Sequence, residues 1–215
     1  CPYVVDVASQ LIPDTAEREA FRNQTRQPQT EKQTPLIYFA KDFDDDRQML
    51  YNMVRERQLK NERIAILLPT NRYVYGCANG LLAAGIDIEV PPKGFGKQSI
   101  PAHDFSSPRP KLMSYHSAKG LTFDSVFMPG LVASAFARTS ADHLQKLLFV
   151  AITRATKWCY FSTMADNPFG LLQNKIMPLA ESRKVSLLCS GEGATTPSGP
   201  PPSPPSGYGD DLNFL

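Results

Sequence analysis

No run in these 215 residues approaches the roughly 18 consecutive apolar positions of a membrane-crossing helix, so no membrane contact is expected. Cysteine is scarce. Cys1, Cys77, Cys159 and Cys189 form no C-x-x-C pair, which speaks against structural zinc or a disulfide framework and for a reducing compartment. Histidine is scarcer still, and His103 and His143, with no partners at ligand spacing, read as surface residues. No targeting leader is visible, and the opening Cys1-Pro2 is expected to mark a cut fragment or a processed product. Basic residues cease after Lys184, whereas Glu192, Asp210 and Asp211 follow it. Residues 1–190 therefore carry 23 basic against 18 acidic side chains, a net +5 that permits contact with a polyanion without demanding it.

What is present is ordinary globular material. Hydrophobic residues make up 42% and aromatics 10%, enough for a buried core and too much for a wholly disordered chain. Residues 3–12 are apolar at helical spacing, and LIYFA (36–40) and RIAILL (63–68) are continuous apolar runs, as in strands buried on both faces. Residues 44–60 open with three acids and end basic, the polarity that suits a helix dipole; the acids read as a solvated helix start, not a metal site. Pro69-Thr70-Asn71 caps a helix to Ala84 with Gly85 as its stop, and IDIEV (86–90) reads as a third strand. KLMSYH (111–116), DSVFMPG (124–130) and KWCYFST (157–163) read as further strands, with a helix over 141–155. Trp158 and Tyr160 alternate with Cys159, so one face of that strand is expected in the core. The fold class expected is α/β, with a parallel sheet covered on both faces. Residues 23–35 read as a loop or linker. Residues 191–215, with six of the nineteen prolines, read as a disordered tail.

Ligands of an open parallel sheet gather beyond the carboxyl ends of its strands, and two polar segments are expected there. One is Ser114–Asp124, a small-residue turn whose Lys119-Gly120 can bring backbone N–H groups close to phosphate. The other is Phe149–Ala155, where an apolar helix ends in Thr153-Arg154 just before a strand.

HSAKGLTFDSVFMPGL followed by LLFVAITRATKWCYFS resembles motifs V and VI of superfamily-one helicases of the UvrD/Rep type, whose usual wording is H-x-x-K-G-L-E-F-D-x-V and Y-V-A-I-T-R-A. IAILLPTNRYVYGCANGLLAAGIDIEV resembles the family segment that begins the second motor domain's inner sheet. CPYVVDVASQLI is similar to the stretch that follows a motif ending Asn-Tyr-Arg. The resemblance implies a second RecA-like motor domain over residues 1–190, starting just after motif IV and closing with a short helical extension. ATP and Mg2+ would be bound mainly by a missing N-terminal motor domain, and no G-x-x-x-x-G-K-[ST] phosphate loop occurs here. The implied partners are that motor domain and single-stranded DNA, with RNA as the alternative, in a bacterial cytosol or nucleoid. Only about twenty residues separate IDIEV from KLMSYH, so the accessory domain that larger relatives insert there is not expected.

By the same resemblance Arg154 reaches across the interdomain cleft to the γ-phosphate, a task suited to a planar, always-charged fork. The plain alternative is a surface salt bridge closing a helix. Lys119, Gly120 and Thr122 would line the nucleotide side. Thr122 stands where the family usually carries Glu, keeping a hydroxyl but losing charge and reach. Asp124 either joins that surface or caps its turn. Ser114 and His116, with Thr70, Asn71 and Arg72, would contact a single strand without reading its bases; capping alone also explains Thr70 or Asn71, and a structural bond to the loop backbone also explains His116. Phe169 is expected to pack in the core. A module of the same fold that binds nucleic acid or protein without turnover is the other functional reading, and Thr122 favours it. The tip Gly209–Leu215 resembles the acidic, Phe-bearing end of bacterial single-stranded-DNA-binding proteins, which implies docking on a replication or repair partner or on this chain's own DNA surface; an unused solubilising end is the plain alternative.

Overall fold

The computed structural model describes residues 1–24, 33–92 and 100–191; the expectations for the linker core and for the tail fall outside them. Six strands build one sheet: β1 (Leu36–Ala40), β2 (Ile64–Leu68), β3 (Lys111–Ser114), β4 (Phe123–Met128), β5 (Ala155–Met164) and β6 (Ser186–Cys189). All pairings are parallel, in the order β3-β2-β4-β5-β1-β6. Among the described residues five α-helices accompany them: α1 (Pro2–Ser9), α2 (Thr15–Gln24), α3 (Phe43–Leu59), α4 (Asn71–Ala83) and α5 (Ala141–Ile152). The α/β expectation holds.

The continuous apolar strands are explained by two cores, one on each face. Val4 and Val7 of α1 and Leu148 and Ile152 of α5 pack with Phe161 on one side. On the other, Leu50 and Val54 of α3 and Val74 and Leu81 of α4 meet Phe127, Trp158 and Tyr160. Trp158, Cys159 and Tyr160 are therefore all buried, because β5 is central and both of its faces are covered. Helix termini follow their sequence signals. Asp42 caps α3 by accepting from Asp45 N at 2.8 Å. Gly85, at φ +75°, ends the α4 segment, and Ile86 N returns to Leu81 O at 2.9 Å.

Three expectations need correction. IDIEV is no ladder strand: it makes only isolated bridges, Glu89 to Lys111 and Val90 to Ala102, although Ile86, Ile88 and Val90 are buried. Pro91 and Pro92 follow at once and offer no N–H to extend the pairing. Beyond β5 the chain is not simply helical; after short π and 3₁₀ turns (Leu172–Ala180) it adds β6 to the sheet beside β1. Finally, the acids at 44–46 are not uniformly solvated. Asp46 is only 2% exposed.

Candidate functional site

The candidate residues separate to opposite ends of the sheet. At the carboxyl end, Thr70, Asn71 and Arg72 follow β2 and start α4, while Ser114 closes β3. These strands are neighbours in register, Leu68 against Ser114, and Tyr115 N donates to Leu68 O at 3.1 Å. All five strand-contact candidates thus share one surface. Thr70, Asn71, Arg72 and His116 are exposed and Ser114 is half-buried. Thr70 occupies the N-cap position, yet its side chain makes no capping bond, so capping does not account for the hydroxyl. Ser114 Oγ lies 2.8 Å from Ser117 Oγ and also receives Ser117 N at 3.3 Å, fixing the turn that presents His116. The His116 ring stacks on that of His143, with centroids 5.8 Å apart and planes at 29°. Sequence spacing gave no sign of this pairing, because α5 brings His143 in from a different connection.

Lys119, Gly120, Thr122 and Arg154 do not lie at carboxyl ends, contrary to expectation. They sit at the amino ends of β4 and β5, because a parallel sheet obliges each connection to return to the opposite edge before the next strand begins. There the two motifs are bonded to each other. Phe123 N donates to Arg154 O at 2.9 Å, Arg154 Nη1 to Leu121 O at 3.3 Å, and Thr156 Oγ1 to Phe123 O at 3.1 Å. Arg154 Nε also donates to Val150 O at 3.0 Å and Nη2 to Thr153 Oγ1 at 3.2 Å. Every acceptor is neutral, and no carboxylate among the described residues pairs with Arg154. Gly120 has φ +83°, a conformation that side-chain-bearing residues rarely adopt, and Lys119 and Thr122 are exposed beside it.

A hollow of about 250 Å³ opens at this amino end, between Arg63, Lys111, Gly120, Leu121 and Thr122. Lys111 is buried and paired with Glu89 at 2.8 Å. Asp124 accepts Arg63 N at 2.9 Å and faces Arg63 Nε and Lys157 Nζ at 3.6 and 3.7 Å, so it ties three strand starts together. Lys119 and Arg154 are left as cations without acidic partners among the described residues, a donor set that fits polyphosphate oxygens. Phe169 is buried against Phe136, with centroids 5.6 Å apart, as expected of a core residue. His103 is half-buried, its ring 2.8 Å from Leu112 O, and burial lowers its pKa; it is not a free surface imidazole.

The buried Asp46 has a measurable consequence. Burial, with Asp45 adding to it, pushes its carboxyl from 3.8 up to about 6, against the pull of a Ser162 hydrogen bond. Between those values the unfolded chain has shed the proton while the folded one keeps it, so stability falls as pH rises through this window. Asp46→Asn is expected to raise stability by at most about 3 kcal/mol above pH 6, with the gap closing below about pH 4. Chemical denaturation of both proteins across pH measures it; a gap independent of pH would refute it.

Three comparisons bear on this geometry. Residues 112–162 match the model of the UvrD-like helicase C-terminal domain. A protein named probable DNA helicase from Mycoplasma pneumoniae (strain ATCC 29342 / M129) is 25% identical over 151 residues, 65% of this chain. The chain spans only 25% of that relative's length. The crystal structure of the C-terminal domain of a possible DNA helicase from Lactobacillus plantarum WCFS1 superposes with a TM-score of 0.58 at 13% identity, covering 87% of this chain and 94% of that one. Over residues 112–162, which hold both motifs, the chain matches the UvrD-like helicase C-terminal domain, set in a RecA-like α/β sheet.

Proposed function

We propose that the chain is the C-terminal motor domain of an ATP-dependent nucleic-acid helicase or translocase, working on single-stranded DNA. The observation that carries the reading is Arg154: a guanidinium fixed by three neutral contacts to motif V and its own helix end, with its charge uncompensated by any described acid. ATP with Mg2+ supplies the polyanion and the bond to be hydrolysed, and an N-terminal motor domain of the same protein holds most of it. Arg154 would face the terminal phosphate and stabilise charge developing there, while Lys119 and the Gly120 backbone line the same edge. Thr122 contributes a hydroxyl where the usual Glu would contribute charge. At the other end of the sheet Thr70, Asn71, Arg72, Ser114 and His116 would grip strand phosphates. The non-catalytic module remains the second reading, favoured by Thr122; hydrolysis by the complete protein separates the two.

Titration of fluorescent oligodeoxythymidine with the 215-residue chain tests the strand surface. Binding should be weak and should fall by about 1.4–2 log units per tenfold increase in salt, if two or three phosphates are neutralised. Ser114→Ala combined with His116→Ala should weaken it further with the fold intact by circular dichroism. Affinity that ignores salt, or survives both substitutions, would remove this surface from the reading.

A further inference from the structure

Two segments cross from the carboxyl end of the sheet to its amino end, the turn between β3 and β4 and helix α5, and they are joined at both ends. At the carboxyl end the ring of His116, in the turn, stacks on that of His143, in the first turn of α5. At the amino end Leu121 O, where the turn finishes, accepts from Arg154 Nη1. The same guanidinium reaches back through Nε to Val150 O in the last turn of α5. The strand surface and the arginine edge are therefore opposite ends of one closed frame.

Both sides of the frame are stiff. Within the turn Ser117 N donates to Ser114 O at 3.0 Å and Leu121 N to Ala118 O at 3.1 Å. Tyr115 and Ala118 are buried in the core that also takes Leu144, Leu148 and Ile152 of α5. Helix α5 has twelve residues, a rod about 18 Å long. Ser140 Oγ accepts from His143 N at 3.3 Å, which fixes the backbone that carries the ring. The His143 side chain itself is exposed, so it adds nothing to that core. What it touches is His116, a strand-contact candidate.

We propose that His143 is a positioning residue that couples strand occupancy to hydrolysis: its ring holds His116 against the strand, and through α5 a strand seated on His116 sets the Arg154 edge. The inference rests on the motor reading and adds to it a residue outside both contact sets. A phosphate that draws His116 also moves the ring stacked on it. The packed helix then carries the displacement to its far end as a body, because dense interiors shift instead of compressing. The contact is a single ring pair, so the effect is bounded at about two- to tenfold.

The test uses the complete protein and measures ATP hydrolysis with and without oligodeoxythymidine. His143→Ala should leave the strand-free rate and the melting temperature unchanged, while the strand-stimulated kcat falls about fivefold. His143→Phe keeps a flat ring without ring nitrogens and should restore most of the stimulation. His143→Gln keeps polarity without a ring and should not. Stimulation unchanged in His143→Ala, not restored by His143→Phe, or restored by His143→Gln overturns the role of His143 and leaves the strand surface and Arg154 standing. A strand-free rate that falls in step with the stimulated one makes His143 a support of the fold and overturns the proposal equally. A wild-type protein that no strand stimulates overturns the strand-coupled motor along with it.

Discussion

In the complete protein, Arg154→Ala should lower kcat by about 10²-fold or more while nucleotide binding stays comparatively intact. The reason is differential: a positioned guanidinium matters most where charge gathers on the transferring phosphoryl group, less in the ground state. Arg154→Lys should recover little, because Lys replaces a flat fork of five donors by a point charge. Arg154 also bonds Leu121 O, Val150 O and Thr153 Oγ1, so a structural role must be separated from a chemical one. Loss of packing would lower the melting temperature and raise KM along with kcat. A loss of kcat alone, with melting unchanged, identifies chemistry. Without a phosphate loop in its sequence, the 215-residue chain should hydrolyse no ATP by itself. Unchanged turnover in Arg154→Ala, or robust hydrolysis by this chain, would dismantle the proposed division of labour.

Trp158→Ala should destabilise the chain by about 3–5 kcal/mol, read from urea unfolding. The indole is 3% exposed, donates Nε1–H to Thr34 O at 2.9 Å, and lies edge-on to Phe127 with ring centroids 5.5 Å apart. Arg57 stacks its guanidinium 3.6 Å from the ring centroid and faces Glu62 at 3.4 Å. Truncation therefore opens a cavity and strips a buried cation of its aromatic platform. Trp158→Phe should recover most of the packing but lose the bond to Thr34. A cost below about 1 kcal/mol for the alanine variant would mean that this centre repacks freely, contrary to the usual behaviour of dense interiors.

Much of the fold was legible because its strongest signals are local. LIYFA and IAILL are strands because nothing in them suits solvent, α3 carries its own Asp42 cap, and α4 its Gly85 stop. What escaped lacks such signals. Helix α2 reads TAEREAFRNQ and buries none of its residues, so no apolar stripe marks it. Strand β6 is four half-exposed or exposed residues held by a single neighbour. IDIEV misled in the other direction: its alternation reports burial of Ile86, Ile88 and Val90, which packing under α4 satisfies without a ladder.

For the candidate site, the sidedness of its residues was misread. Arg154 directly precedes β5 and Thr122 precedes β4, so parallel connectivity alone puts both at amino ends. Burial of Asp46 was also legible in principle. Counting from Leu50 and Val54, the helix repeat brings 46, 50, 54 and 57 onto one stripe, and all four are buried. The contact of His116 with His143 had no such marker, since it depends on how two separate connections meet above the sheet.

Segregating the two residue sets to opposite edges of one sheet also has a mechanical consequence. Strand β4, six residues from Phe123 to Met128, is a strut about 20 Å long. Both of its faces are packed, and a close-packed core tilts as a body instead of bending. A tilt of about 10° pivoting at the amino edge would sweep the carboxyl edge through about 3–4 Å, the scale of rigid-body displacements between domains. With its pivot at the Arg154 edge, the domain would act as a lever whose long arm ends at Thr70 and Ser114.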